Sequence, residues 1–168
     1  ALLPLMGERA AAVEEATEVL EGFRDLYAEA WGEVMAAKIG LADMGLAMEL
    51  LDIMAEGGAD FTNTFRALAV APETARDQIA GPARFDDWVV RWQAAGPDRA
   101  AMARANPAVI PRNHRVQEAI SAAEMGDYEP MHALAAVLAA PWAETDANVA
   151  YRRPAEAGER VTRTFCGT

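Results

Sequence analysis

The sequence has 168 residues, of which 52% are hydrophobic, so it has enough apolar side chains for one folded domain and is not a disordered chain. The excess is largely alanine, which favours helices over strands. The formal net charge of -11 disfavours nucleic-acid binding, because an acidic surface repels phosphates.

The sequence shows neither a membrane span nor a secretory signal. No apolar run approaches the roughly 20 residues that a spanning helix needs, and residues 1–7 lack a basic leader. The sequence also begins without methionine, and we expect it to be a fragment of a longer protein. Its only cysteine, Cys166, can form neither an internal disulfide nor a cysteine-based zinc site, which fits a reducing compartment.

Long helices are predicted for the first half of the chain. Residues 8–39 carry an apolar face at helical spacing, but Gly22 and Gly32 leave open whether they form one helix or two. The face comprises Val13, Thr17, Leu20, Phe23, Tyr27, Ala30 and Val34, with Trp31 beside it. The next helix, residues 43–56, has Asp43 as its expected N-cap and is apolar around nearly its whole circumference, which predicts burial.

Shorter helices are predicted next. Asp60 is expected to cap one of them, and Pro72 to open another that ends near Ile79. A strongly amphipathic stripe follows, with the spacing i, i+3, i+4 and i+7, and its expected role is core packing. The stripe consists of Phe85, Trp88, Val89 and Trp92. Residues 98–105 are predicted to form one or two further helical turns.

The second half is divided by prolines and glycines. A helix is predicted from about Asn113 to Met125, and another, capped by Asp127, runs to about Ala140. Residues 141–168 show no helical period and are interpreted as an extended surface tail. The predicted organisation is therefore an all-α domain, residues 1–140, followed by the tail, residues 141–168, which carries Cys166.

A search for catalytic motifs finds no nucleophile elbow, phosphate-binding glycine loop, dinucleotide fingerprint or zinc-protease motif. The two histidines, His114 and His132, are eighteen residues apart, and acidic residues such as Glu118, Asp127 and Glu129 lie nearby in the sequence. This spacing fits known metal-ligand patterns poorly, and two half-exposed helix histidines are favoured. No catalytic, cofactor-binding or metal-binding residue is predicted in this chain.

Two segments call for a closer look. Residues 106–114 combine Asn106, Pro107, Arg112 and Asn113 at a helix junction. One interpretation is turn chemistry, with Asn113 as an N-cap, and the other is that Arg112 reaches across to another part of the protein. The second segment is the end of the chain, where the thiol of Cys166 is either a free tail thiol or a group that exchanges disulfides.

Together with several other segments, these two resemble the C-terminal region of the selenoprotein O (YdiU-like) family. The resemblance covers most of the chain from about residue 30 onward and is weakest in residues 1–25 and 70–100. It rests on residues 35–41, 58–62, 65–66, 106–114, 118–120, 126–128 and 141–142 and on the Cys166 end. The ordered set of motifs is specific, although any one of them alone would be weak.

The resemblance implies a parent with a protein-kinase-like fold that transfers AMP from ATP to hydroxyl groups of protein Ser, Thr or Tyr residues, using Mg or Mn. The residues that bind nucleotide and metal in that family lie in parts that nothing here matches. This chain would then be an inactive, helical C-terminal lobe fragment without a cofactor of its own. Its implied partners are the N-terminal catalytic portion of the same protein and the parent's protein substrates, with no nucleic acid or membrane, in the bacterial cytoplasm.

The resemblance also implies a role for Cys166. In the family the third residue from the end is selenocysteine or cysteine, and a tail that often reads Cys-Ser-Ser reads Cys-Gly-Thr here. Some bacterial members pair this cysteine with one near the activation segment, which would lie outside this chain. The hypothesis that follows is a redox latch between tail and body.

Two other functions compete with this interpretation. The first is a stand-alone acidic helical module that docks a protein partner on an exposed Trp/Met face, and exposure of Phe85, Trp88 and Trp92 would favour it. The second is a small helical binder of a metal or ligand, which the presence of only two histidines disfavours.

Overall fold

Helices are the only regular secondary structure in residues 5–162, the part of the chain that a computed structural model describes. The all-α prediction is confirmed for these residues. The α-helices are α1 Arg9–Ile39, α2 Met44–Glu56, α3 Phe61–Val70, α4 Pro72–Ala75, α5 Ala83–Ala94, α6 Arg99–Ala105, α7 Asn113–Glu124, α8 Glu129–Leu138 and α9 Val149–Arg152. Short 3-10 helices cover Arg76–Gln78, Asp146–Asn148 and Ala157–Glu159. No helix in residues 5–162 is both long enough and apolar enough to cross a bilayer.

The main core forms where the last turns of α1 meet α2, α3, α5 and α6. Phe85, Trp88 and Trp92 are buried there, with the two tryptophan rings stacked 5.7 Å apart. Both indole N–H groups are satisfied, because Trp88 donates to the Leu46 carbonyl (2.9 Å) and Trp92 donates to the Ile39 carbonyl (2.8 Å). The core-packing role predicted for the α5 stripe is confirmed.

The first helix is continuous, which settles the question that Gly22 and Gly32 left open. It ends at Gly40, whose left-handed backbone (φ 71°) suits glycine. Within α1 the structure buries Ala12, Met35 and Ile39. The apolar face predicted for this helix is present, but most of it is exposed among the described residues.

Helix caps agree with the sequence in part. Asp43 and Asp60 accept hydrogen bonds from the third residue beyond them, as predicted for N-caps. Asn113 is instead the first residue of α7, preceded by Arg112 without a side-chain cap, so its predicted capping role is wrong. Asp127 accepts from the Glu129 N–H (3.0 Å) just before α8, although Tyr128 occupies the N-cap position.

The predicted burial of α2 on all sides is wrong. Met44 and Met48 are exposed, and the helix buries one face through Leu46, Leu50 and Ile53. An apolar circumference therefore did not require burial on every side. Met44, on this exposed side, lies next to α1, where its methyl group approaches Gly32.

Helices α7 and α8 form a hairpin, and the C-terminal segment returns from it toward α3. Residues 141–162 contain two 3-10 helices and the short α9. The prediction of an extended tail without helix is therefore corrected for this part, because three-residue and four-residue helices are too short to show a period in the sequence. The division of the chain into a domain and a tail remains a prediction.

Candidate functional site

The junction of residues 106–112 lies inside a polar network. Asn106 is fully buried at the end of α6 and donates through Nδ2 to the carbonyls of Lys38 (2.9 Å) and Met102 (3.0 Å). Its Oδ1 accepts from the Lys38 ammonium group at 3.1 Å. Burial lowers the pKa of Lys38, whose Nζ also lies 5.3 Å from the centre of the Phe61 ring. Asn106 thus ties α6 to the end of α1.

Arg66 on α3 is the centre of this network. Its Nε donates to Glu144 Oε1 (2.7 Å), and one terminal nitrogen donates to the carbonyls of Ala103 and Asn106, both at 3.1 Å. The other terminal nitrogen donates to the Trp142 carbonyl at 3.2 Å. A guanidinium has the planar, forked donors that such divergent acceptors need. Arg66 therefore joins α3, α6 and the C-terminal segment.

Arg112 reaches across the fold, as one of the two interpretations of this motif proposed. It forms a bidentate pair with Asp60 at 2.8 and 2.9 Å and also donates to Asn63 Oδ1 at 3.2 Å. Burial acts to raise the pKa of Asp60, but hydrogen bonds from Arg112 and from the Asn63 and Thr62 N–H groups outweigh it, so the pKa is lowered. The Asp60 carboxylate thus caps α3 and anchors the junction before α7.

Pro107 and Asn113 contribute less than their neighbours. Pro107 follows the buried Asn106 and interrupts the helical structure between α6 and α7. The N–H groups of the next two residues, Ala108 and Val109, both donate to the Pro141 carbonyl, at 2.8 and 3.0 Å. The junction is therefore also bound to the start of the C-terminal segment through the backbone.

This network holds α3, α6 and the C-terminal segment in place, and no catalytic arrangement is evident in it. Each nitrogen of Arg66 has an acceptor, and both carboxylate oxygens of Glu144 pair with arginines, Arg66 and Arg152. Among residues 5–162 no group of three or more His, Cys, Asp or Glu side chains could hold a metal ion. Cys166, the predicted redox residue, lies outside the described residues.

Sequence reasoning missed the two residues that organise the network, Arg66 and Glu144. A signal for Arg66 was present, since it occurs on the apolar side of a short amphipathic helix beside Phe65 and Leu68. An arginine at such a position is buried only if it is paired. Glu144 gave no comparable signal, because it lies in a segment without a period and 78 residues from Arg66.

A second feature of the described surface is apolar. Seven large apolar side chains of α1 are between 45% and 73% exposed, and at 3.6 residues per turn they fall within an arc of roughly 140°. They are Val13, Val19, Leu20, Phe23, Leu26, Tyr27 and Val34, which we call the α1 face. The rings of Phe23 and Tyr27 lie 6.1 Å apart in its middle. A contiguous exposed face of this kind is typical of a contact surface.

Comparison with known proteins gives consistent relatives. The chain is 47% identical to the protein nucleotidyltransferase YdiU of Ruegeria pomeroyi, and the match covers 100% of the chain and 37% of that protein. It is 40% identical to the protein of the same name from Nitrobacter hamburgensis, with 99% and 37% covered, and 40% identical to that from Pseudarthrobacter chlorophenolicus, with 100% and 38% covered. No protein-family model matches the chain. The chain thus spans somewhat more than one third of the length of these curated relatives.

Proposed function

Because the chain belongs to the YdiU (selenoprotein O) family of protein nucleotidyltransferases, we propose that it is the non-catalytic C-terminal part of such an enzyme. The complete protein would transfer AMP from ATP, with Mg or Mn, to Ser, Thr or Tyr hydroxyls of other proteins. The nucleotide and the metal would bind to the portion that this chain does not span. The role of the chain would be to support that portion.

The observation that carries this proposal is the α1 face. Seven large apolar side chains on one side of a helix are costly to leave in water, and burying each one fully contributes about 1.5–3 kcal/mol. The chain covers 37% of relatives such as the Ruegeria pomeroyi protein, so a larger portion of the complete protein remains to cover this surface. The proposed occupant of the α1 face is that portion, which includes the catalytic part.

The polar network supports a further part of the proposal. Arg66, Asn106 and the Pro141 carbonyl hold the start of the C-terminal segment against α3 and α6. Such anchoring would limit the reach of the last residues. We also propose that the Cys166 thiol forms a reversible disulfide with the catalytic portion. Thiol mapping of the oxidised complete protein would test this.

The alternative of a stand-alone interaction module loses its main support. It required a solvent-exposed Trp/Met face, but Phe85, Trp88 and Trp92 are 2%, 0% and 1% exposed. A partner could not reach these side chains without opening the core.

Calorimetric titration of the 168-residue chain with ATP and Mn²⁺ tests where the nucleotide site lies. We expect no saturable heat for the chain, whereas the complete protein should bind the nucleotide. Mixing the chain with the separately purified remainder of the protein should give a stable complex on a sizing column. Saturable ATP binding by the chain alone would contradict the proposal that the nucleotide site lies in the remainder of the protein. Failure of the two parts to associate would contradict the docking role.

A further inference from the structure

A cavity of about 410 Å³ lies at the start of α7. One side is formed by the end of the 106–114 junction, through Arg112, Asn113 and His114. The C-terminal segment forms the other side through Arg160 and Val161. The cavity is open to solvent and lies between two segments that are far apart in sequence and that the proposed docking role does not use.

Buried nitrogens without a partner cluster at this cavity. Among the described residues, Nε of Arg112 and Nε2 of His114 are covered and have no hydrogen-bond partner, and the same holds for Nε of the adjacent Arg115. His114 is only 9% exposed. A buried polar group without a partner costs about 1–3 kcal/mol, so a cluster of them calls for an explanation. Other atoms of Arg112 and His114 line the cavity, so an acceptor that displaces the groups covering the two nitrogens would reach them from there.

Charge and helix geometry favour an anion as that acceptor. The first N–H groups of α7, those of Asn113 and His114, have no acceptor within the helix, and the helix dipole makes this end positive. Arg160 adds an exposed guanidinium that has no salt bridge within the described residues. The acids nearby are engaged, since Asp60 pairs with Arg112 and Glu159 pairs with Arg153 at 2.6 Å.

A larger cavity elsewhere provides a contrast. It measures about 550 Å³ and lies beside Arg66, Glu144 and Arg152. There the charged groups already neutralise one another, because Glu144 forms ion pairs with both arginines. The larger cavity therefore offers no unsatisfied donor comparable with those at the start of α7.

We propose that the cavity at the start of α7 binds a small oxyanion, through His114, Nε of Arg112, Arg160 and the first N–H groups of the helix. Phosphate and carboxylate groups share the required acceptor oxygens, and phosphate binds more tightly because it carries more charge. The two unpartnered nitrogens are covered, so their contact with the anion requires the wall formed by Ala155, Arg160 and Val161 to move outward.

The histidine signals provide a direct test by proton NMR. The chain has two histidines, and His132 is exposed on α8 and serves as an internal reference. Titration of the 168-residue chain with inorganic phosphate at constant ionic strength should shift the His114 ring signals saturably and leave those of His132 nearly unchanged. Acetate should give the same selective shift at higher concentration. A phosphate response that is absent, or equal at both histidines, would overturn the proposal.

The pH dependence gives a second readout. Burial lowers the pKa of His114, and the charges of Arg115, Arg153 and Arg112 lower it further while Glu159 opposes them. A bound anion stabilises the imidazolium, so saturating phosphate should raise the pKa of His114. An unchanged His114 titration in saturating phosphate would count against direct contact.

Variants separate contact from general charge effects. Arg160→Gln and His114→Leu should each weaken phosphate binding at least about tenfold, the lower end of the range for one hydrogen bond to a charged group. His114→Gln keeps an N–H donor at a similar distance and should retain most of the affinity. Arg24→Gln, on the exposed surface of α1, is the matched control and should change nothing. Because Arg160 is exposed, its variant should fold, and unchanged affinity in Arg160→Gln would by itself refute the site.

Discussion

One guanidinium, that of Arg66, joins segments that lie between 37 and 78 residues away from it. It is nearly buried, and its donors reach the carbonyl groups of Ala103, Asn106 and Trp142. Lysine replaces it only in part, because an ammonium group does not supply several donors in one plane. The stability of the C-terminal segment therefore depends strongly on this one side chain.

We predict that Arg66→Met destabilises the chain by about 3–5 kcal/mol, because three carbonyl groups lose their donor and Glu144 keeps only Arg152 as a partner. Arg66→Lys should recover only part of this loss. Urea unfolding followed by circular dichroism measures both. Arg104→Met on the exposed side of α6 is the control and should stay within about 0.5 kcal/mol of the parent. A similar loss for both positions would contradict the special role of Arg66.

The Asp60–Arg112 pair predicts a pH dependence. The pKa of Asp60 is lowered from 3.8 in the folded chain, so its carboxylate stabilises the fold above that value. This contribution is lost as the pH falls through the lowered folded-state pKa. Unfolding free energies measured from pH 6 down to pH 3 should therefore fall less steeply in Asp60→Asn, which keeps a capping side chain. Arg112→Met should flatten the same range, and an unaltered slope in both variants would exclude this pair as the source.

At the scale of secondary-structure elements, the end of α1 is held by several neighbours at once. The Gly40 carbonyl accepts from the Asp98 N–H at 3.0 Å, which brings the start of α6 against the end of α1. Trp92 of α5 donates to the Ile39 carbonyl, which is among the last carbonyls of α1 and has no intrahelical donor. Three helices therefore converge on two consecutive residues.

Replacing Gly40 by alanine should be more damaging than the same change at Gly96. Both glycines have positive φ, 71° and 72°, so the backbone strain is about 1 kcal/mol for each. At Gly40 the added Cβ would also lie 2.9 Å from the Asp98 backbone nitrogen, whereas at Gly96 it would meet nothing within 4 Å. Thermal unfolding should show an additional loss of about 1–3 kcal/mol for Gly40→Ala. Equal effects would mean that the close approach to α6 relaxes without cost.

The two buried tryptophans provide a matched pair. Trp92→Phe removes the donor to Ile39, whose carbonyl then has no partner, at a cost of about 1–3 kcal/mol beyond the loss of ring volume. Trp88→Phe removes a donor to Leu46, whose carbonyl keeps its helical hydrogen bond inside α2. Chemical denaturation should therefore rank Trp92→Phe as the more destabilising change. The opposite order would show that ring packing, and not the hydrogen bond, dominates at these sites.

The features that the sequence predicted well are local ones. The stripe on α5 and the caps Asp43 and Asp60 depend on neighbours within a few residues, and spacing reports such relations directly. The pairing of Arg66 with Glu144 depends on a long return of the chain, which no short pattern encodes. The cavity at His114 was missed for the same reason, because its second wall comes from residues 155–161.

At the scale of the whole molecule, the apolar pattern of α1 reports amphipathicity without reporting what covers it. The periodicity correctly placed Leu20, Phe23, Tyr27 and Val34 on one side. In a chain that spans 37% of a relative such as the Ruegeria pomeroyi protein, a side of this kind can remain exposed. Equally clear periodic patterns therefore have opposite outcomes, because Trp88 is buried and Phe23 is exposed.

The α1 face predicts opposite behaviour in two contexts. The double variant Leu20→Glu and Phe23→Glu should leave the unfolding free energy of the 168-residue chain within about 0.5 kcal/mol and reduce its self-association, because both side chains are exposed. In the complete protein the same changes should lower the unfolding temperature. Light scattering and calorimetry measure the two effects.

Met125→Glu is the control for this pair of experiments. Met125 is an exposed apolar residue at the turn between α7 and α8, away from the α1 face. It should be neutral in both contexts. If the α1 double variant were equally neutral in the complete protein, the face would have a different occupant.

The great length of α1 has a mechanical consequence. At 1.5 Å per residue its 31 residues extend about 46 Å, and its large side chains contact the main core near one end, where Met35 and Ile39 are buried and Trp31 packs beside them. The helix is therefore held mainly at that end. A rotation of α1 by a few degrees about the contacts of Gly40, Trp92 and Asp98 would displace its N-terminal end by several ångströms. Any portion of a larger protein that binds to the N-terminal part of α1 would therefore move farther than the core residues whose rearrangement causes the rotation.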